Sequence, residues 1–142
     1  PPRWTAYYNN FAVADRKAAI RMTQIGEGDQ ATHFEMRTAD ASANAYLMLA
    51  GMIHAGILGL EKNIKEVPSV PTSSAQKNKH PNIYRLPETL EECLQQLEHD
   101  IDFIKKFDQE FLRSYLAVKH YEIRLLHGRS EAELIQLHTK HY

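Results

Sequence analysis

The chain has 142 residues, the length of one domain and too short for two of ordinary size. Hydrophobic residues make up 43% and charged residues 25%, a composition typical of a globular protein with a core. Seventeen Lys and Arg against eighteen Asp and Glu give a formal net charge of -1, which excludes a general basic field for nucleic acid or anionic membranes. The single cysteine, Cys93, excludes an internal disulfide framework and a multi-cysteine zinc module.

The first ten residues, PPRWTAYYNN, do not resemble a secretory signal, because polar side chains follow Arg3 and Trp4 at once. The chain begins with Pro1 and Pro2 instead of methionine, which is typical of a segment from within a longer protein. We therefore expect this chain to be part of a larger polypeptide.

Neighbouring strands are predicted in the first forty residues. Residues 18–24 and 32–38 each alternate apolar with polar side chains, and this period of two is typical of strands buried on one side. The run Gly26–Asp29 predicts the turn between them. We expect two or three antiparallel strands within residues 1–40. The side expected to be buried carries Ile20, Met22, Phe34 and Met36.

The most apolar segment lies within residues 41–62 and predicts a helix, which Asp40 or Ser42 could cap. Its length approaches the roughly 20 residues that span a bilayer. However, Asn44 and His54 interrupt the apolar run, and three glycines lower its hydrophobicity. We therefore expect a buried helix in which small residues allow close packing, and no membrane span.

Residues 63–87, rich in proline, serine and lysine, predict a long connection that is a functional loop or a mobile flap. Residues 88–142 are predicted to be helical, so the fold class is α+β, with the strands followed by a helical C-terminal half. The first helical segment carries an apolar stripe of Leu90, Leu94, Leu97, Ile101 and Ile104.

Local end signals divide this helical half. Thr89 with Glu92 and Ser130 with Glu133 have the spacing of capping boxes. Asp108 is placed to begin a helix. Gly128 is placed to end that helix, because glycine readily adopts the left-handed conformation there.

Four charged side chains lie on or beside the two predicted strands: Arg16, Arg21, Glu35 and Arg37. Guanidinium groups bind phosphate oxygens with two parallel hydrogen bonds, and a carboxylate is a suitable ligand for Mg²⁺. The set therefore suits a polyanionic ligand with a divalent cation. Spacing alone favours a simpler interpretation, a solvated face with a cross-strand ion pair between Arg21 and Glu35.

Other candidate sites are weaker. The eight histidines include no HExxH motif and have no second cysteine nearby, so solvated histidines are expected rather than a zinc site. Cys93 precedes Leu94 of the apolar stripe and is expected to be a structural thiol. The phosphate-binding motif GxxxxGK[ST] and a serine nucleophile elbow are absent from the sequence.

Read as motifs, these residues resemble the glutamine synthetase family. Residues 15–21, DRKAAIR, resemble its N-R-S-A-x-I-R motif, and residues 34–47, FEMRTADASANAYL, resemble its E-x-R-x-x-D-x-x-A-N-P-Y-L block. The segment AGMIHAGILGL at 50–60 is similar to the helix that follows, and NIYRLP at 82–87 to a later N-L-Y-x-L-P segment. The motifs occur in the family's order over most of the chain.

The resemblance implies a ligase that phosphorylates the γ-carboxylate of glutamate with ATP and lets ammonia displace the phosphate. It implies ATP and Mg²⁺ or Mn²⁺ as cofactors, with Glu35 as a metal ligand. Arg16 and Arg21 would contact ATP and the transferring phosphoryl group, and Arg37 would hold the substrate carboxylate and the acyl phosphate. His33 would be a further contact for the nucleotide phosphates.

The sequence departs from the family pattern at several positions. Asp15, Lys17 and Ala45 replace the family's Asn, Ser and Pro, and His33 stands where an arginine is often found. These departures leave two alternatives open: a ligase that joins glutamate to an alkylamine or polyamine, and an inactive member with a structural role. Tyr84 aligns with a tyrosine that some bacterial members adenylylate, but we do not expect that regulation because Arg85 replaces the common acidic neighbour.

Enzymes of this family are much longer and have an N-terminal β-grasp domain, and most of their metal-binding glutamates lie upstream of the motifs found here. The resemblance therefore implies that this chain is the C-terminal part of a catalytic domain. It also implies a cytoplasmic homo-oligomer, a ring of the dodecamer type, that acts on small molecules and has no nucleic-acid or membrane partner. We expect no ligase activity from the chain by itself, and some self-association through exposed apolar surface.

Overall fold

The structure is a computed structural model that describes residues 6–23, 32–40, 42–75 and 80–141. In these ranges three short strands precede six helices, as expected for the predicted α+β class. The chain divides into two compact units. The strand unit is the described part of Pro1–Ala43 and Lys62–Leu86, and the helix unit is that of Asn44–Glu61 and Pro87–Tyr142.

The sheet of the strand unit contains β1 (Phe11–Val13), β2 (Ile20–Met22) and β3 (Phe34–Met36), in the order β1-β2-β3. Strands β2 and β3 are antiparallel, with Arg21 opposite Glu35. The predicted turn at Gly26–Asp29 lies outside the described residues.

Strands β1 and β2 are parallel, which corrects the prediction of antiparallel strands alone. The chain leaves β1 through Ala14, whose φ of 57° lies in the left-handed region, and the Ala14 N–H donates to the Met22 carbonyl at 2.9 Å. Ala18 and Ala19 are buried on the way back to β2. Because their side chains are single methyl groups, this short connection can pass close to the sheet.

A segment from the predicted loop anchors the other edge of β1. The Val70 N–H donates to the Phe11 carbonyl at 2.8 Å, and the Val13 N–H donates to Ser69 Oγ at 3.1 Å. Helix α2 (Thr72–Ala75) follows this segment directly. Within the predicted connection, Ser69 and Val70 are thus hydrogen-bonded to the edge of the sheet.

The buried side-chain amide of Asn10 joins the segment at residues 70–72 to the connection before β2. Asn10 is 1% exposed, and its Nδ2 donates to the Val70 carbonyl at 2.9 Å and to Thr72 Oγ1 at 3.3 Å. Its Oδ1 accepts from the Ala19 N–H at 3.4 Å. Both ends of the amide are satisfied, as a buried polar group requires.

The helix unit begins with α1 (Ala45–Glu61), and the predicted caps for this helix are wrong. Asn44 Oδ1 accepts from the N–H groups of Tyr46 and Leu47 at 3.0 and 3.1 Å. The Asp40 carboxylate instead accepts from Ser42, within the preceding turn. Asn44 can cap because it directly precedes the helix, whereas Asp40 and Ser42 lie too far from its first N–H groups.

The expectation that α1 is buried is also wrong, because none of its residues is fully buried. Tyr46 is 85% and Leu60 80% exposed. The helix is apolar on all sides, while the described helices contact the side that carries Gly51 and His54. None of the described helices is long and apolar enough to cross a membrane.

The other helices confirm the predicted end signals. Thr89 Oγ1 accepts from the Glu92 N–H, Asp108 accepts from the N–H groups of Glu110 and Phe111, and Ser130 pairs with Glu133. Gly128 has a φ of 74° after the end of its helix. Asp100 divides the apolar stripe between two helices, and Ile101 of that stripe is exposed. The elements are α3 (Leu90–His99), α4 (Ile101–Ile104), α5 (Gln109–Leu126) and α6 (Glu131–His141).

Candidate functional site

The antiparallel pair of β2 and β3 brings together four of the five predicted site residues. Arg21 and Glu35 are cross-strand partners, and Arg37 lies two residues beyond Glu35, on the same side of the sheet. His33 lies two residues before Glu35 and shares this side. We call these four residues, Arg21, His33, Glu35 and Arg37, the arginine–glutamate cluster.

The Glu35 carboxylate is the centre of the cluster. Arg21 Nη2 donates to its Oε1 at 2.6 Å, and Arg37 Nη1 donates to its Oε2 at 3.1 Å. His33 Nε2 lies 3.5 Å from Oε1. The predicted pair of Arg21 with Glu35 is therefore present, and Arg37 binds the same carboxylate at its other oxygen.

On the charged side of the sheet, Arg21, Glu35 and Arg37 are better covered than Ile20 and Phe34 on the apolar side, whereas His33 is 56% exposed. The Arg21 side chain is 17% exposed, whereas Ile20 is 44% and Phe34 65% exposed. The prediction that the apolar side is buried is thus wrong for Ile20 and Phe34. Alternation separates the two sides of a strand but does not determine which of them the rest of the chain covers. On the apolar side, the centroids of the Phe34 and Phe11 rings lie 6.1 Å apart.

The cluster carries more positive than negative charge. The hydrogen bond from Arg21 lowers the pKa of Glu35 below its ordinary range, and Arg37 acts in the same direction against partial desolvation. One carboxylate thus faces two guanidinium groups. The Nε atoms of Arg21 and Arg37 are buried and have no hydrogen-bond partner among the described residues. A cluster with this excess of donors and positive charge suits an anionic ligand.

The same geometry is a poor fit for a metal ion held by this chain alone. Both Glu35 oxygens accept hydrogen bonds from guanidinium groups. In the part of the chain that the structure describes, no three His, Cys, Asp or Glu side chains come together as metal ligands. Divalent cations such as Mg²⁺ require several oxygen ligands, so these residues supply at most a fraction of such a site.

Arg16 is not part of the cluster. It is exposed in the connection between β1 and β2 and forms no hydrogen bond or ion pair with another described residue. Its neighbour Asp15 fixes this connection, since its Oδ1 accepts from the Lys17 N–H at 2.8 Å and its Oδ2 from the Thr72 N–H at 2.7 Å. Burial raises the pKa of Asp15, but the hydrogen bonds from Thr72 and Lys17 outweigh it, so that the pKa is lowered.

Sequence reasoning missed the residues that support the site, Asn10 and Thr72. Both are buried polar side chains, and they link segments about sixty residues apart in the chain. No short-range spacing signals such a contact. The histidines form no metal cluster in the described ranges, where His120 Nε2 lies 3.0 Å from Glu98 Oε1. Cys93 is exposed on α3.

Fold and cluster together define an α+β segment with a cationic face on a small sheet. Residues 1–136 match the family model described as glutamine synthetase, catalytic domain. The chain therefore belongs to the glutamine synthetase catalytic-domain family, which confirms the resemblance seen in its motifs.

Individual relatives agree. A glutamine synthetase of Aquifex aeolicus (strain VF5) is 32% identical over 123 residues, which cover 80% of this chain and 25% of the relative. One from Sulfolobus acidocaldarius is 30% identical over 125 residues, covering 84% of this chain and 26% of the relative. A solved structure described as a novel glutamine synthase homolog superposes with a TM-score of 0.79 at 26% identity, over 100% of this chain and 32% of that chain. The chain spans about a quarter of the length of the curated relatives it matches.

Proposed function

We propose that this chain supplies the arginine-bearing part of the active site of a glutamine synthetase, an ATP-dependent ligase that forms glutamine from glutamate and ammonia. The observation that supports this best is the shared carboxylate, since Arg21 and Arg37 both donate to Glu35 on one side of the sheet. The cluster keeps an excess of positive charge that the phosphate and carboxylate groups of the substrates would neutralise.

In the proposed reaction the γ-carboxylate of glutamate takes a phosphoryl group from ATP, and ammonia then displaces phosphate from the acyl carbon. The transferring group is negatively charged, and guanidinium groups that are already in place stabilise that charge without reorganisation. Arg21, with Arg16 and His33, would contact the nucleotide and the transferring phosphoryl group. Arg37 would hold the substrate carboxylate and the acyl phosphate.

A bound divalent cation, Mg²⁺ or Mn²⁺, neutralises phosphate charge in this class of reaction. Glu35 is the ligand we propose for it in this chain. The described residues contain no cluster of three potential ligands, so the other oxygen ligands have to come from elsewhere. We therefore expect no release of phosphate from ATP and glutamate by this chain alone. A cytoplasmic location and a homo-oligomeric ring complete the proposal.

The anion-binding step can be tested on the chain itself. Inorganic phosphate is titrated into the protein, and the NMR signals of the Arg21 and Arg37 Nε–H groups are followed. We expect saturable shifts, and an affinity about tenfold lower in Arg37→Gln, because a hydrogen bond to a charged group is lost. Arg113→Gln removes an exposed arginine of α5 and serves as the control. Absent shifts, or equal weakening by both variants, would contradict the proposal.

The catalytic role needs the full-length protein. Turnover with ammonium and with a panel of alkylamines and polyamines decides between glutamine synthesis and γ-glutamyl-amine synthesis. We expect Glu35→Ala to abolish both, since it removes the proposed metal ligand and the partner of both arginines. Unchanged function of Glu35→Ala would favour the inactive member with a structural role.

A further inference from the structure

The helix unit contains a cleft that no part of the proposed reaction uses. Its volume is about 180 Å³, and it is lined by residues of α1, α3, α4 and α5 and by Phe107 between α4 and α5. The side chains that line it are hydrophobic or aromatic, and none of those described carries a formal charge.

A row of aromatic rings forms one wall of this cleft. The Phe103 and Phe107 rings lie 5.3 Å apart at an interplanar angle of 70°, so that the edge of one meets the face of the other. Phe111 follows at 6.2 Å from Phe107 and Tyr115 at 6.1 Å from Phe111, each pair at 27°. Such arrangements are the favoured geometries of aromatic pairs, so a further ring can extend the row by the same contacts.

Gly51 on α1 leaves the cleft open on the opposite wall. A Cβ built at this position would have Phe103 Cζ as its nearest neighbour, at 3.9 Å. This is ordinary van der Waals contact, so a side chain at residue 51 would occupy space in front of the ring without forcing the backbone to move. The absence of a side chain at Gly51 is therefore what keeps part of the cleft empty.

We propose that this cleft binds a small, planar, uncharged ring compound. Its volume is close to that of an enclosed apolar cavity of about 150 Å³, lined by Leu, Ile and Phe, that binds benzene, but this cleft is open to solvent. The lining carries no charged group to form an ion pair with a ligand, and a planar ring matches both the aromatic wall and the gap at Gly51. The proposal does not depend on the proposed function, because it uses no residue of the arginine–glutamate cluster.

The probes are benzene and indole, added to the full chain and followed by NMR of methyl groups. The methyl groups of Leu47, Leu97 and Leu112 line the cleft and report binding, and those of Leu86 and Leu134 report unspecific effects. We expect saturable shifts of the first set alone. Shifts of all five residues in proportion, or none up to the solubility limit of the probes, would overturn the proposal.

A matched pair of variants tests the position of the ligand. Gly51→Leu fills the cleft, whereas Gly56→Leu adds the same side chain to the same helix where a Cβ has no neighbour within 4 Å. We expect Gly51→Leu to weaken binding of both probes about tenfold or more, and Gly56→Leu by less than about twofold. Gly51→Ala adds one methyl group and gives a smaller loss in the same direction if the larger side chain prevents folding. Equal effects at both positions would place the probes elsewhere and overturn the assignment.

Discussion

The contacts that stabilise the interior of the strand unit differ in kind from those inside the helix unit. Among the described residues of the strand unit the buried apolar side chains are small, five alanines and Val70. Hydrogen bonds join the segments: Asn10 donates to the Val70 carbonyl, and Asp15 accepts from the Thr72 N–H. In the helix unit the covered side chains are Leu94 and Leu112, beside a row of aromatic rings. Hydrogen bonds are directional and hydrophobic contacts are not. The strand unit therefore fixes the positions of its side chains, whereas the helix unit is stabilised by the burial of apolar surface.

This difference accounts for the place of the cluster. Arg21, Glu35 and Arg37 need fixed distances, and they lie on the sheet that the directional contacts hold. The adaptable apolar cleft lies among the helices. Each of the following changes alters one unit and leaves the other as its reference.

The largest effect is expected from Leu94→Ala in the helix unit. Leu94 is buried in α3, and its truncation should lower the free energy of unfolding by roughly 2–5 kcal/mol through lost burial and a cavity. Urea denaturation measures this loss. Leu60→Ala is the control, since Leu60 is 80% exposed and should change stability little. Similar losses in both variants would show that burial is not what stabilises this unit.

The next largest effect is expected from Asn10→Ala in the strand unit. The change leaves the Val70 carbonyl and the Ala19 N–H without their partner, at a cost of about 1–3 kcal/mol. Amide hydrogen exchange should accelerate at Ala19 and stay unchanged in α5. The exposed Ser73→Ala in α2 is the control. Uniform acceleration across both units would mean that the units do not differ as described.

Gly56→Ala in α1 is expected to raise the free energy of unfolding. Alanine is favoured over glycine inside a helix by about 1 kcal/mol, and nothing lies within 4 Å of the added Cβ. Gly51→Ala should gain at least as much, because its Cβ also contacts Phe103. Thermal unfolding of the two variants measures the difference. A loss of stability in Gly51→Ala would contradict our inference that there is room for a side chain between Gly51 and Phe103.

The smallest expected effect is the pH dependence of the stability of the strand unit. The pKa values of Glu35 and Asp15 are lowered in the folded chain, by hydrogen bonds from Arg21 in one case and, against burial, from Thr72 and Lys17 in the other. The contribution of the two ionised carboxylates to the free energy of unfolding is therefore complete above the pKa of an unfolded carboxyl, about 4. It is lost as the pH falls through the lower pKa values of the folded chain.

Urea denaturation between pH 7 and pH 3 measures this loss. Asp15→Asn should flatten the decline in stability below about pH 4. Glu66→Gln, at an exposed position, should leave the decline unchanged. An unchanged decline in Asp15→Asn would show that this carboxyl does not couple protonation to folding.

Local signals account for what the sequence could predict. Thr89, Asp108 and Gly128 act on backbone groups within four residues, and the structure confirms all three. Alternation likewise placed Arg21 and Glu35 on one side of paired strands. These features depend on neighbours in the chain, which the sequence shows directly.

Contacts between distant segments account for what it could not predict. The parallel pairing of β1 and β2 depends on buried alanines and on an edge covered by residues 69–75. The exposure of Ile20 and of α1 depends on which sides other segments cover. For the candidate site, the sequence named every member of the arginine–glutamate cluster. It could not show that both Glu35 oxygens already accept hydrogen bonds from Arg21 and Arg37.

The contact of Asn10 with Thr72 also constrains the order in which the chain can fold. It joins residues 62 positions apart, and the whole of α1 lies inside the loop that it closes. The entropy lost on closing such a loop has to be met before the contact contributes, whereas a helix such as α5 forms between near neighbours. During synthesis the strand unit cannot complete its edge until residue 72 has left the ribosome, so β1 spends that interval without the segment that will cover it.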